Sequence, residues 1–115
     1  MTRREIFDRV KTHLLAQGRR ATDGTIGPCM YRAPDGARCA VGCLISDEAY
    51  RPGFEGLGAE TRSVLEALRI SGVDATEEET QWMLIELQKM HDGYMPSEWP
   101  AQLDELERRF FGGAS

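Results

Sequence analysis

The chain has 115 residues, a formal net charge of −5, and hydrophobic and charged fractions of 41% and 29%. These values are typical of one globular domain with a single core, and they exclude an intrinsically disordered chain. No apolar run approaches the roughly 18 residues of a membrane span, and the first ten residues lack the apolar core of a signal peptide, so we expect a cytoplasmic protein with no membrane attachment.

The charges are distributed unevenly along the chain. Residues 1–20 carry six Lys or Arg against two acidic residues, whereas residues 74–115 carry three against ten. General nucleic-acid binding is disfavoured, because it needs clustered basic residues to neutralise phosphates. The basic amino-terminal segment is predicted either to hold a small anion or to dock on the acidic carboxyl-terminal half, and the charge pattern favours docking.

The first predicted element is a helix over residues 3–17. Thr2 and Glu5 have the spacing of a capping box, in which each side chain accepts a hydrogen bond from the other residue's backbone amide. Gly18 then supplies a helix stop. The apolar residues that follow the cap at helical spacing are Ile6, Phe7, Val10 and Leu14. His13 lies beside this stripe and is predicted to be structural.

Residues 24–58 form a predicted insert that holds seven of the twelve glycines, which argues against a long helix there. Within it, Pro34, Asp35 and Gly36 match a type I turn with a glycine bulge. The short runs that flank this turn predict a β-hairpin, and a flexible glycine-rich loop follows it.

The predicted hairpin has a defined register, in which Ala33 pairs with Ala37. Arg32 and Arg38 then face each other on the outer surface. Because like charges directly opposed are unfavourable, we expect an anion or a carboxylate between them. The inner face is apolar and packs against the helices, and its predicted members are Cys29, Tyr31, Cys39, Val41 and Cys43.

A rival interpretation begins a helix near Cys39. Cys39 and Cys43 would be roughly 13 Å apart in a strand but about 6 Å apart in a helix, so only the helix brings the two thiols together. A thiol-dependent enzyme would then use Cys39 as nucleophile, His91 as base and Asp92 to orient the base. A zinc-stabilised interaction module would use the cysteines with His13 or His91, and its predicted ligands are Cys29, Cys39, Cys43 and His91.

The simplest interpretation of the cysteines treats them as small buried apolar residues, with no metal and no cofactor. Binding residues then belong to the hairpin and to the loop over residues 51–58, since loops are where such residues concentrate. Phe54 in this loop is predicted either to plug the core or to make an exposed contact. The predicted recognition surface comprises Tyr31, Arg32, Arg38, Phe54 and Glu55.

Three further helices are predicted after the insert, over residues 60–71, 77–92 and 98–111. A second capping box at Thr76 to Glu79 and a cap at Ser97 begin the last two. Trp82, Trp99 and the methionines are assigned to the core. The predicted fold class is therefore α+β: a single domain over residues 1–115, mainly helical with about four helices, a central β-hairpin and a glycine-rich loop.

Three blocks of this sequence carry a resemblance: MTRREIFDRVKTHLLAQGRRA, CMYRAPDGARCAVGCLISDEAYRPGFEG and LQKMHDGYMPSEWP. In this order they resemble a group of small proteins from tailed bacteriophages and prophages. The resemblance covers nearly the whole chain and implies a phage origin and a location in the host cytoplasm, but no mechanism. The positions that match the group's motifs are Tyr31, Arg32, Asp35, Gly36, Cys39, Gly42, Glu55, His91, Asp92 and Trp99.

The resemblance and the composition together favour a non-enzymatic accessory protein that acts by binding. The expected partner is a host bacterial protein, such as a defence component that is inhibited or sequestered, or a small anionic ligand. A homodimer is compatible with the sequence. The thiol-dependent enzyme and the zinc-stabilised module are the alternatives, and neither a P-loop nor a nucleophile-elbow motif is present in the sequence.

Overall fold

The computed structural model describes residues 1–22 and 29–112. Four α-helices form the frame: α1 over Arg3–Gln17, α2 over Arg62–Ile70, α3 over Glu78–Gly93 and α4 over Trp99–Phe111. Single turns of 3₁₀-helix occur at Gly42–Leu44, Pro52–Phe54 and Pro96–Glu98. Within the described ranges, no helix is both long and apolar enough to cross a membrane.

Helix α1 has the predicted bounds and the predicted caps. The Glu5 amide donates to the Thr2 hydroxyl at 3.1 Å, and the Thr2 amide donates to the Glu5 carboxylate at 2.8 Å. Gly18 ends the helix with a φ of 67°, a left-handed conformation that only glycine adopts without strain. The buried stripe of the helix consists of Ile6, Phe7, Val10 and Leu14, as predicted.

The other three helices lie within two residues of their predicted starts, but the predicted caps were wrong. Thr76 donates its amide and its hydroxyl to Asp74 instead of capping α3. Ser97 lies inside a 3₁₀ turn, and the Met95 amide at the start of that turn donates to the Glu98 carboxylate at 2.9 Å. Neither α3 nor α4 therefore has a side-chain hydrogen bond at its amino-terminal cap.

The core lies where α1, α3 and α4 pack against one another. Ion pairs join α1 to the acidic half of the chain: Arg4 lies 2.6 Å from Glu107, and Lys11 lies 3.2 Å from Glu107. Docking of the basic segment on the acidic half is therefore confirmed.

Trp99, Met83 and Met90 are buried, as predicted. The prediction that Trp82, Met95 and Met1 also belong to the core was wrong, because they are 58%, 60% and 46% exposed.

The predicted β-hairpin, and with it the α+β class, was wrong: the described residues contain no strand, and the fold is mainly helical. The turn itself forms, since the Ala33 amide donates to the Ala37 carbonyl at 2.8 Å. Pairing then reaches only an isolated bridge between Arg32 and Arg38. The beginning of the predicted insert, residues 24–28, lies outside the described residues.

The arms of the turn diverge because the first arm is hydrogen-bonded to a distant side chain. The amides of Tyr31 and Arg32 donate to the two carboxylate oxygens of Glu55, at 2.8 and 3.1 Å. The second arm turns at Cys39 into a 3₁₀ turn and crosses the first, so closely that a Cβ on Gly42 would lie 2.0 Å from the Tyr31 carbonyl oxygen. Residues 39–45 are thus neither a strand nor an α-helix.

Candidate functional site

A groove of about 600 Å³ forms where three distant parts of the chain meet. Its walls come from the link after α1, from the Pro34–Asp35 turn and from the residues that follow α3, and its lining residues are Arg19, Arg20, Thr22, Pro34, Asp35, Met95 and Pro96. The lining combines two adjacent arginines and one carboxylate with the side chain of Met95. The groove is therefore the candidate site.

The two arginines of the groove are held in different ways. Arg20 donates from Nε and Nη2 to the Tyr94 carbonyl oxygen, at 3.2 and 2.7 Å, and the Trp99 indole donates to the same oxygen. Arg19 lies 3.3 Å from Asp35, and both side chains are more than half exposed. A ligand can therefore reach Arg19 directly, whereas Arg20 is fixed in place.

The Asp35 carboxylate shapes the turn that forms one wall. It accepts a hydrogen bond from the Ala37 amide at 2.9 Å and a second one from Arg19. The hydrogen bond from the Ala37 amide is the main cause that lowers the pKa of Asp35 below its ordinary value, and the hydrogen bond and positive charge of Arg19 lower it further. Asp35 is therefore ionised at neutral pH and offsets the charge of one arginine.

His91 supports the groove from behind and is fully buried. Its Nε2 accepts a hydrogen bond from the Ala21 amide at 3.1 Å, and its ring stacks on Trp99 with centroids 5.4 Å apart. Because Nε2 accepts, the imidazole proton lies on Nδ1, which donates to Asp92 at 2.7 Å. His91 thus ties the backbone next to Arg20 to α3.

Asp92 receives several hydrogen bonds around this histidine. Partial burial would raise its pKa, but hydrogen bonds from His91, Cys29 and Gln88 outweigh that effect and lower the pKa below its ordinary value. Burial, together with the negative charge of Asp92, raises the pKa of Cys29 to about 11. Cys29 is therefore a protonated hydrogen-bond donor at neutral pH.

Cys29, His91 and Asp92 place one possible metal-ligand atom each within 4.8 Å of one another. Two of the four predicted zinc ligands, Cys39 and Cys43, do not belong to this cluster. A metal at His91 would have to replace the proton on Nδ1, and Nε2 would then need a proton that points at the Ala21 amide. The hydrogen bonds of His91 therefore do not fit a metal ligand.

The structure does not assemble the predicted thiol active site either. Burial raises the pKa of Cys39 far above its ordinary value, and its sulfur accepts from the Gly42 amide at 3.2 Å. Cys43 donates to the Ala40 carbonyl at 3.1 Å, and burial raises its pKa to about 12. Both ring nitrogens of His91 are already hydrogen-bonded, so neither can accept a proton from Cys39.

The predicted recognition residues mainly hold together the connecting segment, residues 29–59, which joins the part of the chain around α1 to α2. Phe54 is buried, so of the two predicted roles it has that of a plug in the core. Tyr31 is buried as well, and its hydroxyl donates to the Leu57 carbonyl. Glu55 accepts from the Tyr31 amide and, at 2.7 Å, from the Tyr50 hydroxyl. These groups are satisfied internally and are not free to bind a partner.

Arg32 and Arg38 share a carboxylate, as expected from their opposed positions. The Asp47 oxygen Oδ1 lies 2.8 Å from Arg32 and 3.2 Å from Arg38. Arg32 also stacks on the Tyr50 ring at 4.5 Å and donates to the Ile45 carbonyl. The expected counter-charge is therefore supplied by the chain itself.

Sequence reasoning treated Arg19 and Arg20 only as part of a basic segment, and it assigned Met95, with the other methionines, to the core. The available signal was the adjacent Arg-Arg pair directly after Gly18, the residue that ends α1 and begins a loop. No protein-family model, no curated protein and no solved structure matches this chain.

Proposed function

We propose that this chain is a phage-type accessory protein that acts in the host cytoplasm by binding an anionic group. The group belongs either to a host protein, such as a defence component that is inhibited or sequestered, or to a small ligand. The observation that carries the proposal is the exposed Arg19 beside a fixed Arg20 in a groove of about 600 Å³, in a chain of net charge −5.

The charge of the groove favours an anion. Asp35 offsets one guanidinium, whereas Arg20 donates to a neutral carbonyl, so the lining side chains retain one positive charge. The carboxyl-terminal half of the chain is acidic, so its surface outside the groove would repel an anion. Guanidinium groups bind carboxylate and phosphate oxygens through paired hydrogen bonds, which suits either source of the group.

The groove is also preorganised, which reduces the entropy lost on binding. Arg20 is held by the Tyr94 carbonyl, and the backbone beside it is held by the buried His91. Met95 is 60% exposed beside these charges, and it offers an adaptable apolar contact for a protein partner.

The test is an affinity capture from host lysate with the tagged chain and with Arg19→Glu, and the captured proteins and small molecules are quantified by mass spectrometry. We expect at least a several-fold loss of specific capture in Arg19→Glu, and displacement from the unmodified chain by salt or inorganic phosphate. Arg62→Glu is the matched control, because Arg62 is an exposed arginine at the start of α2.

Equal capture by Arg19→Glu and Arg62→Glu contradicts the assignment of the groove. Background capture alone by the unmodified chain contradicts the binding function itself.

A further inference from the structure

The outward face of α3 carries a four-residue stripe at i, i+4, i+7 and i+11. In order, it consists of Glu78, Trp82, Ile85 and Lys89. This spacing keeps the four residues on one side of a helix. Trp82 is 58% exposed, and the Lys89 side chain is 71% exposed. Lys89 also lies 3.9 Å from Glu86, at the outer limit of an ion pair. The stripe is apolar at its centre and carries opposite charges at its two ends.

The stripe borders a groove of about 750 Å³ between α3 and α4. Phe110 and Arg109 of α4 form the other wall, and Arg109 lies 3.8 Å from Glu86. This groove shares no lining residue with the groove that contains Arg19. It is the larger of the two, and it contains a large exposed aromatic residue of the kind that anchors interfaces.

We propose that this face is the interface of a homodimer, in which α3 packs antiparallel against α3 of a second copy. A two-fold axis midway between Trp82 and Ile85 places Glu78 of each chain opposite Lys89 of the other. The same axis places Trp82 of each chain opposite Ile85 of the other. One two-fold rotation thus pairs opposite charges at both ends of the stripe and apolar side chains at its centre, as an isologous interface requires.

The order of charges selects both the orientation and the occupant. A parallel pair of α3 helices would place Glu78 against Glu78 and Lys89 against Lys89, which is unfavourable. The charged ends lie 11 residues apart, about 16 Å along the helix axis, so a single helix face spans the contact. A second copy carries the complementary pattern at the same spacing by necessity, whereas an unrelated partner would have to match it independently.

The contact is small. One helix face and the end of α4 bury less than about 1,200 Å² in total, a size at which complexes are weak and transient. We therefore expect a concentration-dependent dimer with a dissociation constant on the order of micromolar. Neither chain supplies residues to the Arg19 groove of the other, so dimerisation leaves the proposed anion site open.

The test measures mass by sedimentation velocity over a concentration series from about 1 to 200 µM, which brackets a micromolar dissociation constant. Lys89→Glu and Glu78→Lys each place like charges at both ends of the interface, so each variant alone is expected to be monomeric. When the two variants are mixed in equal amounts, each charge pair again joins an acid to a base, one pair in its original sense and the other reversed, and a heterodimer is expected.

The controls carry the same charge changes away from this face. Arg62→Glu on α2 and Glu48→Lys in the connecting segment are exposed and are expected to dimerise like the unmodified chain. A monomeric unmodified chain over the whole range overturns the proposal. Unchanged dimerisation of the single variants, or no heterodimer in the mixture, also overturns it. Capture of an unlike protein on Trp82 by a chain that stays monomeric assigns the face to that partner instead.

Discussion

The helical frame and the connecting segment over residues 29–59 are ordered in different ways. In α1, α3 and α4 each backbone amide beyond the first turn bonds within its own helix, and an apolar stripe docks the helix on the core. The described residues of the connecting segment contain no strand and only two single turns of 3₁₀-helix. Its central residues, among them Cys39 and Val41, are nevertheless fully buried.

Distant side chains replace regular pairing in this segment. Gln17 accepts from the Arg38 amide at 2.8 Å and donates to the Arg38 carbonyl at 3.0 Å, and Gln88 accepts from the Val41 amide at 3.2 Å. Helical order is therefore spread over many equivalent contacts, whereas order in the segment depends on a few particular groups. Single substitutions should consequently cost more in the segment than at the helix surfaces.

The largest expected effect is that of Gly42→Ala. The added Cβ would lie 2.0 Å from the Tyr31 carbonyl oxygen, and backbone rather than a flexible side chain would have to move. We expect a loss of at least about 3 kcal/mol in the free energy of unfolding, measured by urea denaturation. Gly53→Ala is the control, because a Cβ there meets nothing within 4 Å, and a change of about 0.5 kcal/mol or less is expected.

Equal stabilities of the two alanine variants would show that the arms of the turn do not cross so closely at Gly42. They would also remove the steric reason for the missing hairpin.

The next effect is that of Glu55→Gln, which keeps the shape of the side chain. Glu55 accepts hydrogen bonds from the backbone amides of Tyr31 and Arg32. The side-chain NH₂ of a glutamine would face one of these two amides, so that two hydrogen-bond donors would oppose each other. A loss of about 2 kcal/mol in the free energy of unfolding is expected by urea denaturation. Glu48→Gln removes the same charge from an exposed side chain and should change stability by about 0.5 kcal/mol or less.

A variant Glu55→Gln as stable as Glu48→Gln would mean that the carboxylate does not substitute for strand pairing.

The helices could be predicted because their signals are local. The Thr2–Glu5 box and Gly18 lie within one turn of the ends of α1, and the apolar spacing gives its buried face. The same spacing places Trp82 off the buried stripe of α3, which contains Met83 and Leu87. Trp82 was assigned to the core because of its hydrophobicity, against this spacing. The turn at Pro34 was likewise local and formed as predicted.

The connecting segment and the candidate site could not be predicted in this way. Glu55 is 24 residues from Tyr31, and nothing in the local pattern marks its carboxylate as the acceptor of that amide. A glutamate in a glycine-rich loop suggests exposure, so Glu55 was assigned to a recognition surface. The Arg19 groove combines residues from the end of α1, from the turn and from the chain after α3, and only the packing of those elements brings them together.

Asp92 lies where the two regions meet and gives a smaller, pH-dependent effect. Its pKa is lowered in the folded chain, so its contribution is fully present above its unfolded value of about 3.9 and is lost as the pH falls through the folded value. Asp92→Asn should therefore lower the free energy of unfolding by about 1 kcal/mol at pH 6, a value already reduced for the partial exposure of Asp92, and by less at pH 3. Urea denaturation at both pH values checks this, and a loss that grows towards acid would contradict it.

The smallest effect is expected in the helical frame, at the ion pairs between α1 and α4. Arg4 and Lys11 both contact Glu107, and their hydrogen bonds hold the pKa of Glu107 below its ordinary value. Surface pairs contribute little because water and salt screen them, so Glu107→Gln should lower the melting temperature by only about 2 °C at low salt and by nothing measurable in about 1 M salt. Glu105→Gln removes the same charge from the same helix but breaks only a pair within α4, with Arg108, so it isolates the contact between the helices. The prediction for Glu107→Gln would be contradicted by a loss of stability that is independent of salt and as large as the loss in Glu55→Gln. Single polar groups would then hold the helical frame together as well, and the frame and the connecting segment would not differ in how they are ordered.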